Sequence, residues 1–259
     1  MMLLLDIGNT RIKWGWLAPA GGLRPGGAVV HGGRHQSVLQ AWAKLPKPQR
    51  IFGASVAGCE FNREVEQLAQ TLWNLPVHWA RSSEGAAAMK TAYAEPGQLG
   101  VDRWAAAVGA YYASGRAVCV VDCGSAITFD VVTDAGRHLG GLIVPGWQMM
   151  RRALHQGTAG LPLVELEQAE TIARDTATAI ASGTLLGAAA MIDGLTQRIM
   201  DALGTTAELW LTGGDAPLLQ PHLQHSFILA PDLVLQGLAV MASSARTVPE
   251  LVVKQGRLF

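Results

Sequence analysis

Leu3, Leu4 and Leu5 form a wholly apolar run that stops at Asp6, and beyond a polar turn the apolar positions return in alternation at Ile12, Trp14 and Trp16. A continuous apolar run bounded by turn residues predicts a buried strand, and the alternation predicts a second strand with one face inward. The pattern recurs at 118–132, "VCVVDCGSAITFDVV". Asp6 returns as Asp122, Gly8 as Gly124 and Asn9 as Ser125, at a constant offset close to half the chain. A single long offset points to two halves built on one plan, not to a short-repeat array. The chain therefore reads as two α/β lobes, 1–115 and 116–259, divided at the Ser-Gly break in "YYASGRAV", near Ser114 to Ala117.

Further elements fit both lobes. "RIFGASV" and "PVHWA" predict strands around a helix in "EFNREVEQLAQTLWNL", and "DRWAAAVGAYYAS" opens another helix with Asp102 at its start. In the second half, "GRHLGGLIVPG" predicts a strand feeding a turn and "WQMMRRALHQ" a helix. The Ala-rich run from Arg174 to about Asp201 predicts a long helix, and "AELWLTGGDAPLL" predicts strand, glycine turn, helix.

Composition narrows the partners. Lys plus Arg and Asp plus Glu number 20 each in 259 residues, so no positive field draws the chain to nucleic acid or an anionic membrane. The leading apolar run is broken at Asp6, too early for a signal peptide or a membrane span, and the apolar stretch "GTLLGAAAMIDGL" contains Asp193 and reads as a buried helix. Cys59, Cys119 and Cys123 lack zinc or redox spacing and are expected to be reduced core thiols. A cytoplasmic protein that works on small molecules is the expectation.

A plain hairpin turn explains Gly8 and Asn9 but leaves Asp6 and Thr10 unused. Glycine at the centre of a turn lets backbone N–H groups approach an anion, while Asn9, Thr10 and Ser125 add polar side chains and Lys13 a positive charge. Two aspartates would repel a naked phosphate, so Asp6 and Asp122 make sense with cations between them and the anion, as in a nucleoside triphosphate with Mg²⁺. A third glycine turn, "LTGGDAP", offers Gly213 and Gly214 for close approach by a nucleotide, although alone it is equally an ordinary strand-to-helix turn.

These turns resemble those of the actin, hexokinase and heat-shock-chaperone ATPase superfamily, which implies two duplicated ribonuclease-H-like lobes, the actin-like ATPase fold, with a nucleotide cleft between them. Within it the whole chain resembles the type III pantothenate kinases, through "DIGNTRIK", "YAEPGQLGVDRWAA", "VVDCGSAITFD", "GGLIVPGWQMM", "GTAGLP" and "DTATAIASG". Ser125 departs from the threonine more usual there and keeps the hydroxyl. The resemblance implies that Asp6, Ile7, Gly8, Asn9, Thr10, Arg11, Ile12, Lys13 and Ser125 line the ATP site. It further implies that Asp122 holds a monovalent cation, K⁺ or NH₄⁺, and that Asp6 faces Mg²⁺ directly or through water.

On the acceptor side, Asp102 is a candidate general base, and on sequence alone equally a helix N-cap; the resemblance favours the base. Arg103 beside it suits a carboxylate substrate or a plain surface position, and Gly100 and Val101 offer backbone contacts. The resemblance places Tyr93 and Thr176 in the pantothenate pocket, Thr176 arriving from the partner of a homodimer. His138 and His155 have no visible partner in the sequence and are expected to be structural. The implied activity is phosphorylation of pantothenate by ATP, the first step toward coenzyme A. The alternatives are a kinase of the same fold for another small hydroxylated substrate, and a non-catalytic nucleotide-binding accessory or regulatory protein.

Overall fold

The computed structural model describes residues 1–84, 86, 89–165 and 169–244. The last part of the expected second lobe, 245–259, lies outside the described residues.

In the first half the strands β1 (Met2–Ile7), β2 (Arg11–Leu17) and β3 (Leu23–Val30) form an antiparallel meander. Helix α1 (Gln36–Trp42) leads to β4 (Arg50–Ser55), and α2 (Cys59–Trp73) leads to β5 (Val77–Trp79). The sheet order is β3-β2-β1-β4-β5, with β4 parallel to β1 and β5 parallel to β4. Strand β6 (Lys90–Thr91) and helix α3 (Val101–Ser114) follow.

The second half repeats the plan. A meander of β7 (Val118–Cys123), β8 (Ala126–Val132) and β9 (Arg137–Pro145) precedes α4 (Trp147–Gly157) and the long α5 (Thr176–Leu203). Then come β10 (Glu208–Thr212), α6 (Ala216–Leu219), β11 (Ile228–Leu229) and α7 (Leu233–Ser244). Its sheet runs β11-β10-β7-β8-β9-β6, so both halves share one meander followed by two parallel additions, and β6 from the first half extends the second sheet.

Strand alternation sets what each sheet face meets. Leu3, Leu5 and Ile7 point to a core with Trp42, Phe61, Val65 and Trp73 from α1 and α2. Met2 and Leu4 point the other way, into a cluster that also holds Val118 and Val120 of β7 together with Trp104 and Ala105 of α3 and Leu233 and Leu238 of α7. Helices α3 and α7 are thus a shared central layer between the two sheets. They cross at glycines: a Cβ on Gly109 would lie 2.6 Å from the Leu233 carbonyl, and one on Gly237 would overlap the Ala105 carbonyl. Asp6 and Asp122 continue the faces of Leu4 and Val120, so both acids point toward this central layer from opposite sheets.

The predicted helices over "EFNREVEQLAQTLWNL", "DRWAAAVGAYYAS", "WQMMRRALHQ" and the Ala-rich run are α2, α3, α4 and α5, and Trp14, Trp16, Trp104 and Trp147 are buried. Helix α5 is long and apolar enough to cross a bilayer, but half of its most apolar window is buried within this chain. Two expectations change, and one helix is new. Cys119 and Cys123 are buried free thiols, whereas Cys59 is exposed at the first residue of α2. Asp102 is not the N-cap of α3; Gly100 is. Helix α7 gave no signal because "LVLQGLAVMASS" is apolar on nearly every side, as suits a helix between two sheets, and carries no helical period.

Candidate functional site

The site is assembled where three turns meet beside the start of α3. In the β1–β2 turn Gly8 N–H bonds the Arg11 carbonyl at 3.0 Å, and in the β7–β8 turn Gly124 N–H bonds the Ala126 carbonyl at 3.0 Å. The second turn is one residue shorter, so Asp6 faces Lys13 across its hairpin while Asp122 faces Thr128. The turns touch through Thr10 Oγ1 and Ser125 Oγ at 3.2 Å. The third turn joins them: Gly213 has a positive φ of 97° and lies so close to Asp122 and the Cys123 carbonyl that a side chain there would overlap both, and Asp215 N–H bonds the Cys123 carbonyl at 2.9 Å. Arg11 reaches across to Gly214.

Among the predicted nucleotide residues, Gly8, Asn9, Thr10, Arg11 and Ser125 are brought together on exposed or half-exposed backbone. Ile7 and Ile12 bury their side chains completely, leaving only backbone to face a ligand. The Lys13 ammonium bonds the Pro231 carbonyl and lies 3.3 Å from Asp232, tying β2 to the start of α7.

Three carboxylates converge. Burial, then the charge of Asp102, push Asp6 up to about 7, with Lys13 opposing. Burial, then Asp102, Asp6 and Asp130, push Asp122 up to about 7. Burial raises Asp102 as well, and the Arg103 N–H, which Asp102 Oδ1 accepts at 2.8 Å, offsets only part of that rise. Gly100 leaves room for this carboxylate, since a Cβ there would come within 2.7 Å of Asp102 Oδ1. Half-buried acids whose charges raise their neighbours are electrostatically incomplete, and bound cations restore their ionisation. Among the described residues no three His, Cys, Asp or Glu side chains stand close enough to chelate an ion alone. The donor set therefore fits cations whose remaining ligands are water and phosphate oxygens.

On the acceptor side, Arg103 is nearly buried, and its Nε and Nη2 each donate to Asp130 at 2.8 Å. Burial lowers its pKa, but the Asp130 charge and hydrogen bonds more than offset this and hold it above the usual arginine range. Its Nη1 points to Tyr93 Oη at 3.4 Å. Gly100 and Val101 lie beside Asp102 at the head of α3. Thr176 is exposed at the head of α5, apart from the acceptor-side hydrogen bonds of its own chain.

Several supporting residues were not read from the sequence. His31 accepts the Gly33 N–H at Nδ1 and donates from Nε2 to the Gly8 carbonyl, both at 2.9 Å, while stacking on Phe61. It thereby pins the first turn from beneath. Asp215 accepts from Gln148 at 3.2 Å beside the third turn. Asp130 and His138 stand behind Arg103, with His138 Nε2 at 2.8 Å from Asp130 Oδ1. Linear spacing gives no sign of these pairs, because each joins separate strands or turns.

Comparison with known proteins places this geometry. The sequence profile of the type III pantothenate kinases matches residues 2–198. The type III pantothenate kinase of Nitrosococcus oceani is 38% identical over 258 residues, covering 96% of each chain, and that of Halorhodospira halophila is 37% identical, covering 92% of this chain and 96% of its own. Among solved structures, a conserved Baf family protein from Campylobacter jejuni, named as a transcriptional activator, superposes with a TM-score of 0.58 at 24% identity over 94% of this chain and 98% of its own. The activator of 2-hydroxyisocaproyl-CoA dehydratase from Clostridium difficile, solved with bound ADPNP, gives 0.52 at 11% identity over 94% and 93%. These two likenesses show the fold, the duplicated actin-like ATPase lobes. With a profile spanning most of its length and relatives matched end to end, the chain belongs to the type III pantothenate kinase family.

Proposed function

We propose that this chain transfers the γ-phosphoryl group of ATP to the primary hydroxyl of pantothenate, the first step of coenzyme A biosynthesis, with Asp102 receiving the hydroxyl proton. The observation that carries the reading is the convergence of Asp6, Asp102 and Asp122 at the meeting of the glycine turns, in a chain whose relatives are type III pantothenate kinases. The turns around Gly8 and Gly124, with Thr10 and Ser125, hold the phosphates, and Gly213 and Gly214 take the nucleoside end. Asp6 would hold Mg²⁺, directly or through water, and Asp122 would hold K⁺ or NH₄⁺; when bound, these cations would supply charge neutralisation for the phosphates. Arg103 Nη1 and Tyr93 Oη take the pantothenate carboxylate, and Gly100 and Val101 line its chain.

We read the chain as two lobes, 1–115 and 116–259, in a cytoplasmic homodimer where Thr176 of the partner subunit completes each acceptor site. The exposed stripe Thr176, Ala179, Gly183 and Gly187 on α5 supports this, being small enough for close helix approach. Ile180, one residue on, is buried in its own chain and lies off this stripe.

A phosphorylation assay with pantothenate, glucose and acetate in parallel, in potassium and in sodium buffers, tests the reading. Turnover of pantothenate alone, and in potassium far above sodium, is expected. Turnover of glucose or acetate points to another kinase, and no turnover of any acceptor points to an accessory nucleotide-binding protein.

A further inference from the structure

Behind the acceptor side lies a buried polar chain that the proposed chemistry does not use. Asp130 is 2% exposed and His138 fully buried. Asp130 accepts from Arg103 Nε and Nη2 and lies 2.8 Å from His138 Nε2. A carboxylate paired with a guanidinium only accepts, so His138 donates to it from Nε2, and in the neutral ring Nδ1 is then an acceptor. Thr91 Oγ1, 3.2 Å from Nδ1, then donates to it, and the same oxygen accepts the Tyr93 N–H at 3.2 Å. The His138 ring is wedged between Trp104 of α3 and the Tyr93 ring, at centroid distances of 6.0 and 5.9 Å. Every donor in the chain is used in one direction, from Tyr93 N–H through Thr91 and His138 to Asp130, where it meets the guanidinium.

The consequence is geometric. Arg103 has two of its three nitrogens committed, so Nη1 alone is presented beside Tyr93 Oη. Strand β6, which carries Thr91, is held to β9, which carries His138, by the register Thr91↔His138. The backbone of Tyr93 is therefore fixed by the same side chains that fix Arg103. We propose that Asp130 and His138 are positioning residues for acceptor recognition, presetting Arg103 Nη1 and Tyr93 Oη as a paired clamp for the acceptor's carboxylate. This rests on the reading that Arg103 and Tyr93 bind that carboxylate. Preorganisation of this kind lowers the ordering cost of binding without touching the reacting atoms.

The test is steady-state kinetics on folded variants, checked by circular dichroism, with pantothenate and with pantothenyl alcohol, which lacks the carboxylate. His138→Leu breaks the chain, and loss of one buried hydrogen-bonded link is expected to raise the KM for pantothenate roughly tenfold. The KM for ATP and the KM for pantothenyl alcohol are expected to stay within about twofold, since the lost link serves the carboxylate alone. His138→Gln, whose amide N–H can reach Asp130 in place of Nε2, is expected to restore most of the wild-type KM. In an Arg103→Gln background His138→Leu is expected to add less than about twofold, because residues acting through one group are not additive. Should His138→Leu fail to fold, Thr91→Val interrupts the same chain at a half-buried strand position and is expected to raise the pantothenate KM alone.

An unchanged pantothenate KM in folded His138→Leu, or an equal rise for pantothenyl alcohol, overturns the proposal while leaving Arg103 as the binder. An Arg103→Gln enzyme with unaltered pantothenate KM overturns both this inference and the acceptor reading beneath it.

Discussion

At the scale of single residues the proposed chemistry turns on Asp102, held in the first turn of α3 with Oδ1 taken by the Arg103 N–H. Asparagine keeps that oxygen and its hydrogen bond but cannot receive a proton. Asp102→Asn is therefore expected to fold and bind ATP while kcat falls by roughly 10²- to 10⁴-fold, the span of general-base catalysis. Turnover within a few-fold of the parent, measured beside ATP binding, would remove Asp102 from the proton transfer. The sequence made Asp6 and Asp122 visible because each ends an apolar run at a turn, whereas Asp102, at the head of a helix, was marked out from a cap only by the family resemblance. It left His31 and Asp130 silent and marked His138 only as structural. Their roles are set by partners on other elements, and a lone histidine in a sequence looks alike whether it fills a core or props a site.

Among the elements, two helices make checkable demands. Helix α7 approaches α3 so closely at Gly237 that a methyl group would overlap the Ala105 carbonyl. Gly237→Ala is expected to cost about 1–3 kcal/mol by overpacking, read as a lower melting temperature. It should also reduce turnover, since α3 carries Asp102 at its head; unchanged stability and activity would mean the helices part freely. Helix α5 is anchored by Asp193, whose carboxylate accepts the Gln224 and His225 N–H groups at 2.9 and 3.1 Å. Burial raises the Asp193 pKa, but these hydrogen bonds and His225 outweigh it and hold the group below the usual carboxylate range. A depressed carboxylate contributes stability above the unfolded pKa, about 4, and loses it as pH falls through the lower folded value. Asp193→Asn is expected to melt below the parent at pH 7, with the gap closing as pH falls through that window in thermal melts; a gap independent of pH would assign the loss to packing. Helices α2 to α5 were legible through their periodicity, whereas α7 and the short strands β6 and β11 were not. Helix α7 is buried on nearly all sides, and β6 and β11 are two residues each, too short to show a period.

For the whole molecule, the remaining expectation is that sites are shared between subunits. Asp102→Asn and Thr176→Phe, each inactive as a pure dimer, are expected to regain part of the activity when mixed under subunit exchange. A mixed dimer then holds one site with both lesions and one with neither, whereas sites built within one chain stay defective and mixing restores nothing. The two-lobe plan behind this was present in the sequence, because strand alternation and turn chemistry are local and the motif around Asp6 repeats around Asp122. Local rules also set which way each acid points, since Asp6 follows Leu4 and Asp122 follows Val120 on one strand face. Which acids meet was decided only by the fold. It required two sheets to close on one central layer, α3 and α7, so that acids from distant parts of the chain come close enough for Asp6 and Asp102 to raise Asp122. The Arg103–Asp130–His138 chain was likewise decided by tertiary structure, because it depends on α3 crossing β8 and on β6 docking at the edge of β9. The burial that makes these polar groups bind one another exists only after those elements have packed.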